Sequence, residues 1–208
     1  MDKNLSVSTL IILAGGKSSR MGQPKGLLSH NNSFWILSQI EHFIGEIVFI
    51  GLGFDANHYF ETIPWLEKAI TKPQLYKGKQ VQVVINDTPE LGFFSTLQNT
   101  LKKTEKNKQV LVLPIDVPLL NSTEQEKIIS DNHSIVIPEF QDKKGHPVKL
   151  LPEFWNSLLV LNPDDEKARL DVQIQKRNAS EISIIEVSDA SCILNLNTPK
   201  DWQDFISS

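Results

Sequence analysis

The chain has 208 residues, 40% of them hydrophobic, which suits one domain with a sizeable core. Its 21 Lys and Arg and 25 Asp and Glu give a formal net charge of −4, which excludes a strongly basic nucleic-acid-binding surface. The only cysteine, Cys192, excludes an intrachain disulfide framework and favours a reduced, cytoplasmic protein. The apolar run at residues 10–14 is too short for a signal peptide or a membrane span. We therefore expect a single soluble domain over residues 1–208 that binds neither nucleic acid nor a membrane.

Apolar runs alternate with helical patterns along the chain. The runs predict buried strands at 9–13, 46–51, 81–86, 109–115 and 134–138, and the patterns between them predict helices at 34–43, 94–103 and 122–130. The segment 55–79, with two prolines and a glycine, is expected to be irregular. The last third predicts strands at 147–151, 181–187 and 192–196, helices at 152–161 and 165–176, and a final helix that begins near Thr198. This order predicts an α/β fold, with a single-domain, doubly wound and mostly parallel sheet of Rossmann-like topology.

The segment 13–25, LAGGKSSRMGQPK, follows the first predicted strand at its carboxyl end, where doubly wound sheets bind ligands. Gly15 and Gly16 allow a sharp turn with backbone N–H groups close to an anion, and Lys17, Arg20 and Lys25 add three cations. The spacing matches neither a P-loop nor a dinucleotide fingerprint. The segment favours phosphate binding over the alternative, a glycine turn with solvated cations.

This segment resembles the pattern Leu-Ala-(Gly/Ala)-Gly-x-x-x-Arg-Met-Gly-x-x-Lys of a nucleotidyltransferase family with a glycosyltransferase-A-like fold. The nearest members are the molybdenum-cofactor guanylyl- and cytidylyltransferases, and the likeness covers nearly the whole chain in element order. It implies that the glycines lie against the nucleotide, that Arg20 and Lys25 contact the triphosphate, and that Leu13 and Ala14 shape the base pocket. The implied nucleotide-binding residues are Leu13, Ala14, Gly15, Gly16, Lys17, Arg20, Lys25 and Asp87.

Two further motifs carry oxygen ligands. Asp116 follows another buried strand in the string VLPIDVPL, and the resemblance makes it a Mg²⁺ ligand; the alternative is that it caps the turn before Pro118. The string NLNTPKD at 195–201 resembles a late family element in which Asn197 completes the Mg²⁺ shell. The alternative for this string is helix capping by Thr198 and Asp201, and both interpretations can hold together.

The string KGHPV at 144–148 resembles an element of the cytidylyl-type members that borders the acceptor substrate. His146 is therefore a candidate contact for the acceptor. The alternative is an exposed histidine in a turn.

The reaction implied is Mg²⁺-dependent transfer of a nucleotide from a nucleoside triphosphate to a phosphorylated acceptor, with Arg20, Lys25 and Asp116 as catalytic residues and Mg²⁺ as cofactor. The implied acceptor is molybdopterin. GTP is favoured over CTP, although Phe93 and Thr96 depart from the guanylyl-type pattern, and a CTP-dependent enzyme or another acceptor is the alternative.

Two other classes of protein stay open. One is a catalytically degenerate protein that keeps the nucleotide or cofactor pocket. The other is a partner protein that delivers the molybdenum cofactor to a client enzyme and docks through surface aromatic residues. Aromatic residues at helical spacing are, however, more often part of the core. The candidate surface residues of such a partner protein are Trp35, Trp65, Trp155, Trp202 and Phe43.

Overall fold

The computed structural model describes residues 8–207. Within that range the chain forms eleven strands and eight α-helices. The strands are β1 Thr9–Ala14, β2 Ser29–His30, β3 Ser33–Phe34, β4 Ile47–Leu52, β5 Gln74–Tyr76, β6 Lys79–Ile85, β7 Val110–Pro114, β8 Ile135–Phe140, β9 Lys143–Lys144, β10 Val148–Leu150 and β11 Ile182–Glu186. The helices are α1 Trp35–His42, α2 Ala56–Thr62, α3 Trp65–Thr71, α4 Gly92–Leu101, α5 Ser122–Ser130, α6 Pro152–Leu158, α7 Leu170–Gln175 and α8 Pro199–Ile206.

The main sheet has the order β11-β8-β10-β7-β1-β4-β6-β5, and β9 pairs with β8. Its centre, β6-β4-β1-β7, is parallel, with Ile12 of β1 opposite Ile50 on one side and Leu113 on the other. Strand β10 is antiparallel to both of its neighbours. The predicted α/β class with a mostly parallel, doubly wound sheet is confirmed.

The sheet separates two hydrophobic layers, because neighbouring side chains of a strand point to opposite faces. Leu10 and Ile12 of β1 pack with α1 and α3 on one face, and Ile11 and Leu13 pack with α4 and α6 on the other. All six residues of β1 are buried, as expected of a central parallel strand.

The prediction that the tryptophans and Phe43 form a partner surface is wrong. Trp35, Trp155, Trp202 and Phe43 are between 0% and 8% exposed and belong to the hydrophobic layers. Trp65 is partly buried and stacks on Tyr76, with 5.2 Å between ring centroids.

The expectation of an irregular segment at 55–79 is also wrong, because this stretch contains α2, α3 and the edge strand β5. Strand β5 forms a hairpin with β6 through Lys77 and Gly78, which have φ values of +48° and +80°. Tyr59 of α2 is 2% exposed, so the segment is part of the core.

Three expectations in the last third are corrected. The helix predicted at 165–176 is divided at Arg169 into a 3-10 turn, Glu166–Ala168, and α7. The strand predicted at 192–196 is absent; a 3-10 turn, Ala190–Ile193, lies there instead, and the Asp189 side chain caps it by accepting the Ser191 N–H. The helix predicted at 152–161 ends at Leu158.

The parallel centre determines where the site forms. Strands β1, β4 and β7 are neighbours and run in the same direction, so the loops after their last residues meet at one edge of the sheet. Across the described part of the chain, no helix is long and apolar enough to cross a membrane.

Candidate active site

The loop after β1 forms one wall of the site. It turns back through Ser18 and Gly22, with φ values of +48° and +71°. The Ser18 carbonyl accepts the Met21 N–H at 2.9 Å, and its hydroxyl accepts the Lys25 N–H at 3.2 Å. These two bonds fold the loop onto itself and bring its C-terminal cation, Lys25, back toward the sheet.

Gly15 lies where the loop contacts α4. A Cβ atom at this position would be 2.7 Å from Thr96 Oγ1 and 3.2 Å from Thr96 Cγ2. The loop after β4 is equally close to Gly15, because a Cβ atom on Gly53 would be 2.6 Å from the Gly15 carbonyl oxygen. The two loops and the helix can therefore approach this closely only because positions 15 and 53 are glycine.

Four polar side chains from three separate segments meet at the edge of the sheet. Lys25 Nζ donates to Asp116 Oδ2 at 2.8 Å and to Asn197 Oδ1 at 2.8 Å, and Arg20 Nη2 donates to the same Asn197 oxygen at 3.2 Å. The side chains of Lys25 and Asp116 are only 12% and 22% exposed. The structure thus brings together the three candidate catalytic residues and the second candidate metal ligand.

Asp116 lies two residues beyond β7. The turn after β7 is closed by the backbone, with Val117 N–H donating to the Pro114 carbonyl at 3.1 Å, and the next helix, α5, is capped by the side chain of Asn121. The Asp116 carboxylate instead accepts from Lys25. This geometry favours a ligand-facing carboxylate over the capping alternative.

The late motif does two things at once. Thr198 and Asp201 form a capping box at the start of α8, with bonds of 3.2 Å from Asp201 N to Thr198 Oγ1 and 2.8 Å from Thr198 N to Asp201 Oδ2. Asn197, just before the cap, is left with its side-chain oxygen facing Lys25 and Arg20. The capping box therefore fixes the backbone beside Asn197.

A cavity of about 510 Å³ extends from this cluster along the glycine loop. Its charged and amide-bearing lining residues are Lys17, Arg20, Lys25, Asp116 and Asn197. Its lining also includes mainly apolar and backbone groups, namely Leu13, Gly15, Phe54, Pro89, Phe93 and Thr96. A cavity with both kinds of lining suits the charged phosphates and the flat base of a nucleotide.

Two of the implied nucleotide-binding residues lie outside this cavity lining. Ala14 is buried in the hydrophobic layer that contains α1, and Asp87 is exposed. Lys17 lines the cavity, with its Nζ atom 4.6 Å from the centre of the Phe54 ring. Phe54 and Glu90 also line it and were missed from the sequence. Phe54 could have been found, since it follows β4, the neighbour of β1.

His146 lines a second cavity, of about 810 Å³, which shares Glu90, Gly92, Phe93 and Pro114 with the first. The His146 backbone N–H donates to the Cys192 carbonyl at 2.9 Å, and the buried Nδ1 atom has no hydrogen-bond partner. Burial lowers the pKa of this histidine, so the imidazole is neutral at pH 7. The alternative of an exposed histidine is wrong.

The oxygens of Asp116 and Asn197 are the atoms that could hold a metal ion. Both lie 2.8 Å from the Lys25 ammonium, which shows that they converge on a point where one cation fits. One carboxylate and one amide oxygen suit Mg²⁺, which takes few protein ligands and completes its shell with phosphate oxygens and water. Between residues 8 and 207 there is no group of three or more His, Cys, Asp or Glu side chains arranged for a metal.

Together, the parallel sheet, the glycine loop after its central strand and the carboxylate after the adjacent strand define an α/β enzyme that handles a nucleoside triphosphate. Comparison with known proteins makes this assignment specific. A family model described as the MobA-like NTP transferase domain matches residues 10–176. The chain belongs to this family and is a nucleotidyltransferase.

A similar curated protein is the molybdenum cofactor guanylyltransferase of Campylobacter jejuni subsp. jejuni serotype O:6, which is 31% identical over 95% of this chain and 94% of its own length. Two solved structures share the fold. Rv0371c from Mycobacterium tuberculosis H37Rv has a TM-score of 0.73 at 19% identity, covering 96% of this chain and 98% of its own. Molybdopterin-guanine dinucleotide biosynthesis protein A from Archaeoglobus fulgidus has a TM-score of 0.63 at 14% identity, covering 96% and 97%.

Proposed function

We propose that this chain is a Mg²⁺-dependent guanylyltransferase that transfers GMP from GTP to the phosphate of molybdopterin. The observation that carries the proposal is the convergence of Arg20, Lys25, Asp116 and Asn197 in the lining of the cavity beside the glycine loop. The name of the Campylobacter jejuni relative supports the choice of base and acceptor.

Arg20 and Lys25 hold the triphosphate in this proposal. A guanidinium can contact two phosphate oxygens at once, whereas an ammonium is a compact point charge. Their contacts to Asn197 and Asp116 keep both cations at the edge of the sheet, next to the glycine loop. Asp116 and Asn197 would hold a Mg²⁺ ion, which would supply further neutralisation of the phosphate charge.

The transfer itself needs little proton chemistry. An oxygen of the acceptor phosphate attacks the α-phosphorus of GTP and forms a P–O bond, while the bond to the bridging oxygen breaks and pyrophosphate leaves. Because the acceptor phosphate is already ionised near neutral pH, no general base has to remove a proton. Catalysis then depends on positioning and on charge neutralisation.

We assign the second cavity to the acceptor. It joins the nucleotide cavity through Gly92, Phe93 and Pro114, so a molecule bound in it lies next to the nucleotide. His146 lines this cavity, and we assign it to the acceptor side of the site.

The proposal is tested first by nucleotide binding. The melting temperature is measured with GTP, CTP, ATP and UTP, each with and without Mg²⁺. We expect a Mg²⁺-dependent rise with GTP that is lost in Asp116→Asn and kept in Asp142→Asn, a matched change at an exposed position. No shift with any of the four nucleotides in folded protein contradicts the proposal and favours the degenerate protein.

The second test is transfer. Pyrophosphate release is measured with each nucleotide in the presence and absence of molybdopterin, and we expect release only with GTP and molybdopterin together. Release with CTP instead would make the chain a cytidylyltransferase, the alternative indicated by the string at 144–148. Release with neither nucleotide contradicts molybdopterin as the acceptor.

A further inference from the structure

The loop that carries Asp116 is held by two side chains of α1. Trp35 Nε1 donates to the Ile115 carbonyl at 2.7 Å. Gln39 Nε2 donates to the Val117 carbonyl at 2.7 Å, and Gln39 Oε1 accepts the Leu119 N–H at 3.0 Å. The two donors are four residues apart, one helical turn, so they lie on the same face of α1.

These contacts fix the backbone on both sides of Asp116. The carbonyls of the residues before and after it are bonded to α1, and its own carbonyl accepts the Leu196 N–H at 2.8 Å. Trp35 and Gln39 are 3% and 2% exposed, so water does not replace these bonds readily. The direction in which the Asp116 carboxylate leaves the backbone is therefore set by side chains that do not touch the cavity.

We propose that Gln39 and Trp35 are positioning residues for the cation site, and that they set its metal affinity by orienting the Asp116 carboxylate toward Asn197. This inference depends on the proposed metal role of Asp116. Groups that hydrogen-bond to a metal ligand typically contribute 10- to 100-fold to metal affinity, and we expect an effect of the same order from residues that hold the backbone on both sides of the ligand.

The chain offers a matched control for a purely structural role. Gln98 is 3% exposed, and its Nε2 also donates to backbone carbonyls, those of Leu158 at 3.0 Å and Leu161 at 2.7 Å. These carbonyls belong to the last residue of α6 and to the turn after it, in the opposite hydrophobic layer. Replacing either glutamine by methionine keeps the side-chain length and removes comparable buried hydrogen bonds.

The test measures Mn²⁺ binding to the 208-residue chain by electron paramagnetic resonance, with saturating GTP and no acceptor, below 15 °C. Urea unfolding of each variant provides the stability. We expect Gln39→Met and Gln98→Met both to lower the urea midpoint, but only Gln39→Met to weaken Mn²⁺ binding, by at least about tenfold. Equal Mn²⁺ affinities in the two folded variants overturn the inference.

Trp35→Phe provides a second, milder variant should Gln39→Met not fold. It keeps an aromatic ring and removes the donor to the Ile115 carbonyl. We expect its Mn²⁺ affinity to fall in the same direction, and an unchanged affinity overturns the role of Trp35. Wild-type protein that binds Mn²⁺ with neither GTP nor CTP contradicts the proposed function itself, and so the two failures are distinguishable.

Discussion

Replacing Gly15 with alanine tests the contact between the glycine loop and α4. The added Cβ would lie 2.7 Å from Thr96 Oγ1 and 3.2 Å from Thr96 Cγ2, both inside ordinary contact distance. Thr96 cannot turn away freely, because it is 4% exposed and its hydroxyl accepts Asn86 Nδ2 at 3.0 Å. Overpacking of this kind costs about 1–3 kcal/mol. We expect Gly15→Ala to lower the free energy of unfolding by about 2 kcal/mol, which at this chain length is a fall in Tm of roughly 4–8 °C.

Gly16→Ala is the matched control, because a Cβ atom at Gly16 meets nothing within 4 Å. Urea unfolding followed by tryptophan fluorescence should show this variant within about 0.5 kcal/mol of wild type. In the double variant Gly15→Ala, Thr96→Ala, the second change removes both clashing atoms. We therefore expect its loss to be smaller than the sum of the single losses by about 1 kcal/mol or more. Equal stability of the two single alanine variants, or additivity in the cycle, refutes the steric argument.

Three further predictions concern charge. Lys25→Met should tighten Mn²⁺ binding in the absence of nucleotide, because the ammonium no longer occupies the point between Asp116 and Asn197; electron paramagnetic resonance measures this. Its turnover in the pyrophosphate assay should fall by about 10²–10³, and unchanged turnover contradicts a catalytic role for Lys25. Asp116→Asn should abolish the effect of Mg²⁺ on GTP binding, measured by calorimetry, because the amide carries no charge; a retained Mg²⁺ effect removes Asp116 from the metal site. Burial alone would raise the pKa of Glu124, but the ion pair with Lys127 and the hydrogen bonds donated by the Ser188 N–H and hydroxyl outweigh this and lower the pKa to about 2. Wild type should therefore be more stable than Glu124→Gln above pH 4.5, and urea unfolding should show the difference shrink from there toward pH 2; a difference that grows on acidification contradicts the sign.

The parallel centre of the sheet could be predicted because its strands are buried on both faces. Runs such as Ile47–Leu52 are continuously apolar for that reason, and the pattern needs no knowledge of distant contacts. The segment after it could not be predicted, since α2 and α3 have seven residues each, too few for a clear helical period. The hairpin turn that follows uses Lys77 at positive φ, where asparagine or aspartate is the usual signal.

The candidate site, like the fold, could be predicted from the sequence only in part. Gly15 and Asp116 could be found from the sequence because each follows a predicted parallel strand, and such ends meet at one edge. The anchor behind Lys25 could not be found. Tyr59, in the segment expected to be irregular, accepts the N–H of Gly26 at 3.2 Å and so fixes the residue after the lysine. The roles of Trp35 and Gln39 could not be predicted from the sequence either, because each side chain bonds to backbone groups about 80 residues away.

Trp35 links both candidate metal ligands. Its indole N–H holds the carbonyl just before Asp116, and its ring packs edge-on against Trp202 of α8, with 5.4 Å between centroids. Because α8 begins directly after Asn197 and Thr198, the position of this helix fixes the second oxygen ligand. One buried ring thus contacts the supports of two ligands that are 81 positions apart in the sequence. The hydrophobic layer beneath the candidate cation site therefore positions both of its ligands, and we expect changes in that layer to alter metal affinity even where no residue of the cavity is changed.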